Sequence, residues 1–402
     1  MDQQIMYAPC PCGSGKKYKF CCYQKQQSSS SFLDNVKYWA GDDDQKAIRE
    51  KFVVADEDQF LAATDLNRAG VALMSEAEYE AAIPIFRKAV PLFPDYYTPA
   101  NNLAVCLYAS GKLSEAIRVQ RKSLAQSTLN NVFGLANLAM LLYCEDQQDE
   151  ALDCLEKARQ LKPPSLDACV KVCETLARLM RHRDILDYAD ASDYANHAKL
   201  CFFTGVAAAN LGDFCRATQD LKQVDSRQYP FDKAHHYLEC FRRGEKPNTV
   251  RGNWPYFSAT DICPASIVDQ MTSAKGSKIW ISRRLAVDLC EHMMNDQPDS
   301  SDDVLELLCL ATHPSSVDLL MAIVQRRFGS DSFRLHAIEE LQARGALDTS
   351  KPLEIFTDGK VQEISLKTLR LNPDYQFADP LSPEWNALYL LAVKEANKRK
   401  PD

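Results

Sequence analysis

Tyr79-Glu80-Ala81-Ala82-Ile83, Leu113-Ser114-Glu115-Ala116-Ile117 and Gln148-Asp149-Glu150-Ala151-Leu152 are three versions of one phrase. Their alanines, Ala82, Ala116 and Ala151, stand 34 and 35 residues apart. A further version, Gly212-Asp213-Phe214-Cys215-Arg216-Ala217, lies 66 residues past Ala151, with room for one weaker copy between them. Self-similarity at this period, with apolar residues at helical spacing, describes a two-helix unit. One such unit cannot bury its apolar face alone, so copies stack into a solenoid.

The residues around the phrase sharpen the reading. The first copy carries Gly70, Ala82, Phe86, Ala89 and Pro94, and the third carries Ala139, Ala151, Leu155, Ala158 and Pro163. Small residues recur where two helices must approach closely, and proline recurs where the second helix stops. At these positions the chain resembles the tetratricopeptide (TPR) family. The resemblance implies an α-solenoid whose first helices line a concave, peptide-binding face. Placed on that repeat, Asn67, Arg68, Asn101, Asn102, Tyr108, Asn137 and Tyr143 fall on the concave face as partner-binding candidates. Asparagine bonds both the N–H and the C=O of a peptide, and tyrosine offers a rigid amphipathic contact. Arg68 is the one basic residue among them, which gives little support to a carboxylate clamp. The chain departs from the pattern in places. Ala104 and Ala139 replace Gly70, Gln120 stands where an aromatic is usual, and residues 165–197 keep the apolar spacing but little of the motif.

Outward from the repeats, the expected organisation is a cysteine module at 1–24, a Ser-rich linker at 25–31 and a helical lead-in at 32–62. About five repeats follow over 63–244, the fourth of them degenerate, and then a mainly helical domain over 250–402. Alternation around Asp358-Gly359 predicts a β-hairpin near 353–366. Ser382-Pro383-Glu384 predicts the start of a last helix. The fold class is therefore all-α.

The N-terminal run Pro9-Cys10-Pro11-Cys12-Gly13-Ser14-Gly15-Lys16-Lys17-Tyr18-Lys19-Phe20-Cys21-Cys22 is too short to build a core and needs a staple. Four thiols suit a closed tetrahedral zinc site. An iron–sulfur ligand set and a disulfide pair are the alternatives, the latter disfavoured by adjacent cysteines in a reducing setting. Gly13 and Gly15 let the backbone turn sharply between the ligand pairs. The run resembles the SEC-C family, the zinc module at the C-terminus of the preprotein translocase ATPase SecA. That resemblance implies structural Zn2+ held by Cys10, Cys12, Cys21 and Cys22. In SecA the module engages the chaperone SecB and contacts ribosomes. Here Lys16, Lys17 and Lys19 would be its contact residues. The stretch Gly13 to Lys17 is not a phosphate-binding loop, because Cys10 stands where the first glycine belongs and no Ser or Thr follows Lys16.

Charge and composition narrow the function. The net charge is −8, against nucleic-acid binding by the whole chain, but residues 1–27 carry +3 and the remainder −11. Most of the 15 cysteines sit singly in apolar helical patterns, which fits a reduced, cytoplasmic setting in a bacterial protein. No apolar run reaches membrane-spanning length. The seven histidines form no catalytic constellation, and Cys169 and Cys173 read as core. The expectation is a non-enzymatic, zinc-binding scaffold or adaptor. It would take a protein or peptide in its groove and contact a SecB-like chaperone or the ribosome through its zinc module. Alternatives are a ribosome- or RNA-associated factor using the basic zinc module, and an enzyme with its site in 250–402.

Overall fold

The computed structural model describes residues 57–365, apart from 128–129, 225–230, 264–266, 269–279, 299–300, 349 and 358. The cysteine module, the Ser-rich linker, most of the lead-in and the last helix lie outside the described residues. Sixteen helices and one two-stranded sheet are described.

Five helical hairpins open the described chain. They are α1 (Glu57–Ser75) with α2 (Tyr79–Ala89), α3 (Thr98–Ala109) with α4 (Leu113–Gln126), and α5 (Val132–Cys144) with α6 (Gln148–Arg159). Then come α7 (Leu166–Arg178) with α8 (His182–Asp190) and α9 (Ala198–Asn210) with α10 (Phe214–Leu221). The same turn closes all five. Residues 77, 111, 146, 180 and 212 each have positive φ. The amide of the residue after each positive-φ position bonds back into the first helix, as in Lys112 N to Leu107 O, Gln147 N to Leu142 O and Arg181 N to Leu176 O. This left-handed helix stop favours glycine, yet glycine fills it only at Gly111 and Gly212. Ala77, Asp146 and Met180 take it at a cost of about 1 kcal/mol each. The turn at Met180 keeps the repeat in register where the sequence motif fades.

The hairpins close over small residues. A Cβ on Gly70 would meet the Phe86 ring at 2.6 Å, and one on Gly205 would meet Leu221 Cγ at 2.7 Å. Ala104, Ala139 and Cys173 hold the same repeat position, each fully buried. On the second helices Ala82, Ala116, Ala151 and Ala217 recur, but the fourth hairpin has Ile185 there, also fully buried. The bulkier residue explains why that copy is hard to read. Side-chain caps at Asn131, Ser165 and Asp213 start α5, α7 and α10.

Beyond α11 (Phe231–Arg243) the chain turns at Gly244 and runs back across the hairpins. It forms the short α12 (Ala259–Ile262) and reaches α13 (Arg284–Asp296). One apolar core runs unbroken from Met74 to Leu289, so this returning segment shares the core of the repeats. A second core joins α13 to α14 (Ser301–Leu310), α15 (Ser315–Gln325) and α16 (Asp331–Ala343). Strands β1 (Pro352–Thr357) and β2 (Lys360–Ser365) pair antiparallel, and Leu353 and Ile355 seat β1 on this second core. The Arg344 guanidinium donates to the carbonyls of Cys309 (2.7 Å) and Ala311 (2.9 Å), satisfying the C-terminal end of α14.

Candidate groove and its built-in strap

The returning segment 253–263 runs across the C-terminal ends of the first helices of the second, fourth and fifth hairpins, in the groove they form with it. The contacts are those of a peptide read through its backbone. Asn210, ending α9, donates from Nδ2 to Trp254 O (3.0 Å) and accepts from Trp254 N at Oδ1 (2.7 Å). The Tyr237 hydroxyl donates to Pro255 O at 2.7 Å. Arg178, ending α7, donates from one Nη to the carbonyls of Asp261 (3.0 Å) and Ile262 (2.9 Å). Its guanidinium also lies 5.2 Å over the Phe257 ring. Tyr108 donates to Ile262 O at 3.2 Å. Tyr256 stacks on His182, with its hydroxyl 2.8 Å from His182 Nδ1.

Apolar burial seats the strap. Trp254, Tyr256, Phe257, Ile262 and Cys263 are all buried. At ~1.5–3 kcal/mol for each large side chain, burial outweighs the hydrogen bonds, so the strap is part of the fold. The start of α13 is tied to the third hairpin. Arg283 pairs with Glu145, Arg284 N donates to Asp146 Oδ1, and Arg284 Nε donates to the Tyr143 hydroxyl at 2.7 Å.

The groove candidates divide accordingly. Tyr108 and Tyr143 face the groove and are bonded to the chain itself. Arg68 is exposed and pairs with Asp65 at 3.2 Å. The four asparagines are buried in two polar chains between helices. Asn102 donates to Asn67 (3.0 Å), which donates to the Tyr96 hydroxyl (3.0 Å). Gln120 donates to Asn101 (2.8 Å) and accepts from Asn137 (3.0 Å). Gln120, fully buried where an aromatic is usual, is the link between Asn101 and Asn137. The Oδ1 atoms of Asn102 and Asn137 are shielded from solvent, so no external peptide reaches them. The residues that hold the strap, Arg178, Asn210 and Tyr237, were not singled out by sequence. Arg178 and Asn210 end the first helices of the fourth and fifth copies, where the motif is weakest.

Burial raises the Cys144 thiol to about 11 and the Cys263 thiol to about 12, so both stay protonated and inert near the strap. Burial pushes Asp288 up to about 6 and His292 down to about 3. Among the described residues no group of three or more His, Cys, Asp or Glu is placed to hold a metal. No helix among them is long and apolar enough to cross a membrane.

These stacked hairpins form an α-solenoid with a strap of its own chain packed against it. The comparisons add the N-terminal element, for residues 8–24 match the family model of the SEC-C motif. The chain thus joins an SEC-C motif to a body of stacked helical hairpins. Among solved structures it is similar to YrrB, described as a TPR protein with an unusual peptide-binding site. The two are 23% identical, with 50% of this chain and 99% of that one covered and a TM-score of 0.30. No curated protein matches the chain.

Proposed function

We propose that the protein is a zinc-dependent interaction scaffold, with the TPR solenoid as its rigid body and the SEC-C module as its principal contact to a partner protein. The observation that carries this reading is the SEC-C match at residues 8–24 on a body whose groove holds its own chain. Peptide reading in the groove is spent internally, which leaves the N-terminal module to reach outward. Four thiolates from Cys10, Cys12, Cys21 and Cys22 form a soft, closed donor set that fits tetrahedral zinc. Lys16, Lys17 and Lys19 offset the formal −2 charge of such a centre and give it a basic contact face. Zinc, when bound, supplies the folding energy of this segment. The work of the module is binding, in keeping with a cytoplasmic adaptor to a chaperone or translocation partner.

The test compares tagged full-length protein with a version lacking residues 1–24 and with the Cys10→Ser/Cys12→Ser variant. Co-purifying protein and RNA are identified across a salt series. A protein partner lost from both altered forms is the expected result. Equal capture by all three forms would overturn the reading. Recovery of RNA, with binding that falls steeply with salt, would favour the basic module as a nucleic-acid contact instead.

A further inference from the structure

The strap does not fill the whole groove. Between the third and fourth hairpins, the strap and α13 there is a cavity of about 420 Å3. That volume, at the junction of two cores, is in the range of small-molecule sites. Two guanidiniums line it in fixed orientation. Arg251 Nε is held by Glu291 Oε2 at 2.8 Å. Arg284 Nε is held by the Tyr143 hydroxyl at 2.7 Å, with the guanidinium 4.9 Å over the Tyr143 ring. Both are anchored at Nε, and no hydrogen bond among the described residues occupies their terminal Nη atoms. Unspent, oriented guanidinium donors are receptors for carboxylate or phosphate oxygens.

The remaining walls limit the ligand further. Four arginines line the cavity (178, 181, 251 and 284) against Asp288, Glu291 and Asp318, so the acids do not outnumber the bases. Leu152, Leu179, Met180, Pro255 and Phe257 supply apolar surface. His292 lies 2.8 Å through Nδ1 from the Asp288 carbonyl, which can only accept, so Nδ1 carries the hydrogen. Its Nε2 is then an acceptor, and burial keeps the ring neutral.

We propose that this cavity binds a small organic oxyanion, a carboxylate or a phosphate monoester with a compact apolar body. Its charged oxygens meet the Nη atoms of Arg251 and Arg284, and its body lies against Leu152, Met180 and Pro255. This site is independent of the partner contact proposed for residues 1–24, and either can fail without the other.

The experiment is calorimetric titration of the zinc-loaded full chain with benzoate, phenyl phosphate and neutral benzyl alcohol. Binding of either anion, with benzyl alcohol at least roughly tenfold weaker, is the expected result, and the preferred anion identifies the headgroup. Arg251→Gln is expected to weaken anion binding by roughly tenfold, the loss of one charge-assisted fork. Leu152→Trp, which sets an indole into the cavity from its apolar wall and leaves all four arginines in place, is expected to abolish binding. Circular dichroism confirms that each variant is folded. Equal binding of benzyl alcohol, unchanged affinity in both folded variants, or no binding of either anion at millimolar concentration would each overturn the proposal.

Discussion

Asn210→Ala is the sharpest probe of the strap. The change removes the 3.0 Å bond to Trp254 O and the 2.7 Å bond from Trp254 N. Trp254 is buried against Tyr237 and Phe241, with ring centroids at 5.1 and 4.9 Å, so water does not readily replace the lost partner. Each buried backbone group left unpaired costs ~1–3 kcal/mol, which puts the total at about 2–4 kcal/mol because Asn210 is only half-buried. The apolar contacts of Trp254, Tyr256, Phe257 and Ile262 survive the change and together exceed this loss. The strap should therefore loosen without leaving. Urea unfolding measures the stability loss, and amide hydrogen exchange reports locally on Trp254 N. Asn210→Asp separates the two bonds, since it keeps an acceptor for Trp254 N but sets a carboxylate against Trp254 O. Its Trp254 amide should remain protected while stability falls. If Asn210→Ala costs less than about 0.5 kcal/mol and leaves the Trp254 amide protected, Asn210 does not hold the strap and the reasoning fails.

Three further outcomes follow from the geometry. Gly70→Ala drives a methyl into the Phe86 ring at 2.6 Å and should cost about 1–3 kcal/mol by thermal or urea unfolding. Ala77→Gly relieves the positive-φ turn at an exposed site and should stabilise the protein by about 1 kcal/mol, checked by the same unfolding curves. His292 tests pH dependence. Its native pKa is about 3 against 6.5 unfolded, so the unfolded chain binds the extra proton as pH falls below 6.5. The stability held above pH 6.5 is therefore lost on acidification, at up to ~1.4 kcal/mol per pH unit. Asp288, raised from 3.8 to about 6, acts oppositely and makes stability fall as pH rises through that window. His292→Gln removes only the first effect, so the variant should gain on the wild type between pH 6.5 and 5. Parallel stability curves across that range would refute the assignment.

The sequence by itself determined the architecture of the repeats. A period of about 34 residues, with Ala82, Ala116 and Ala151 at one crossing, is legible because close helix packing tolerates only small side chains there. The fourth copy was hard to read because Ile185 and Cys173 hold its crossing positions, and the turn at Met180 lacks the glycine that marks the stop. The hairpin of β1 and β2 was legible from local alternation alone. The groove was not. Asn67, Asn101, Asn102 and Asn137 suit peptide backbone in one dimension, yet in three they bond to one another, Gln120 and Tyr96. Which amide faces a groove depends on helix rotation and on the neighbouring hairpin, and repeat spacing fixes neither to within one residue. That the groove holds Trp254 to Cys263 depends on contacts such as Asn210 with Trp254, 44 residues apart, and Tyr108 with Ile262, 154 apart. No local pattern encodes such pairings. Only the tertiary structure, by burying the strap's aromatic side chains in the core of the repeats, decided them.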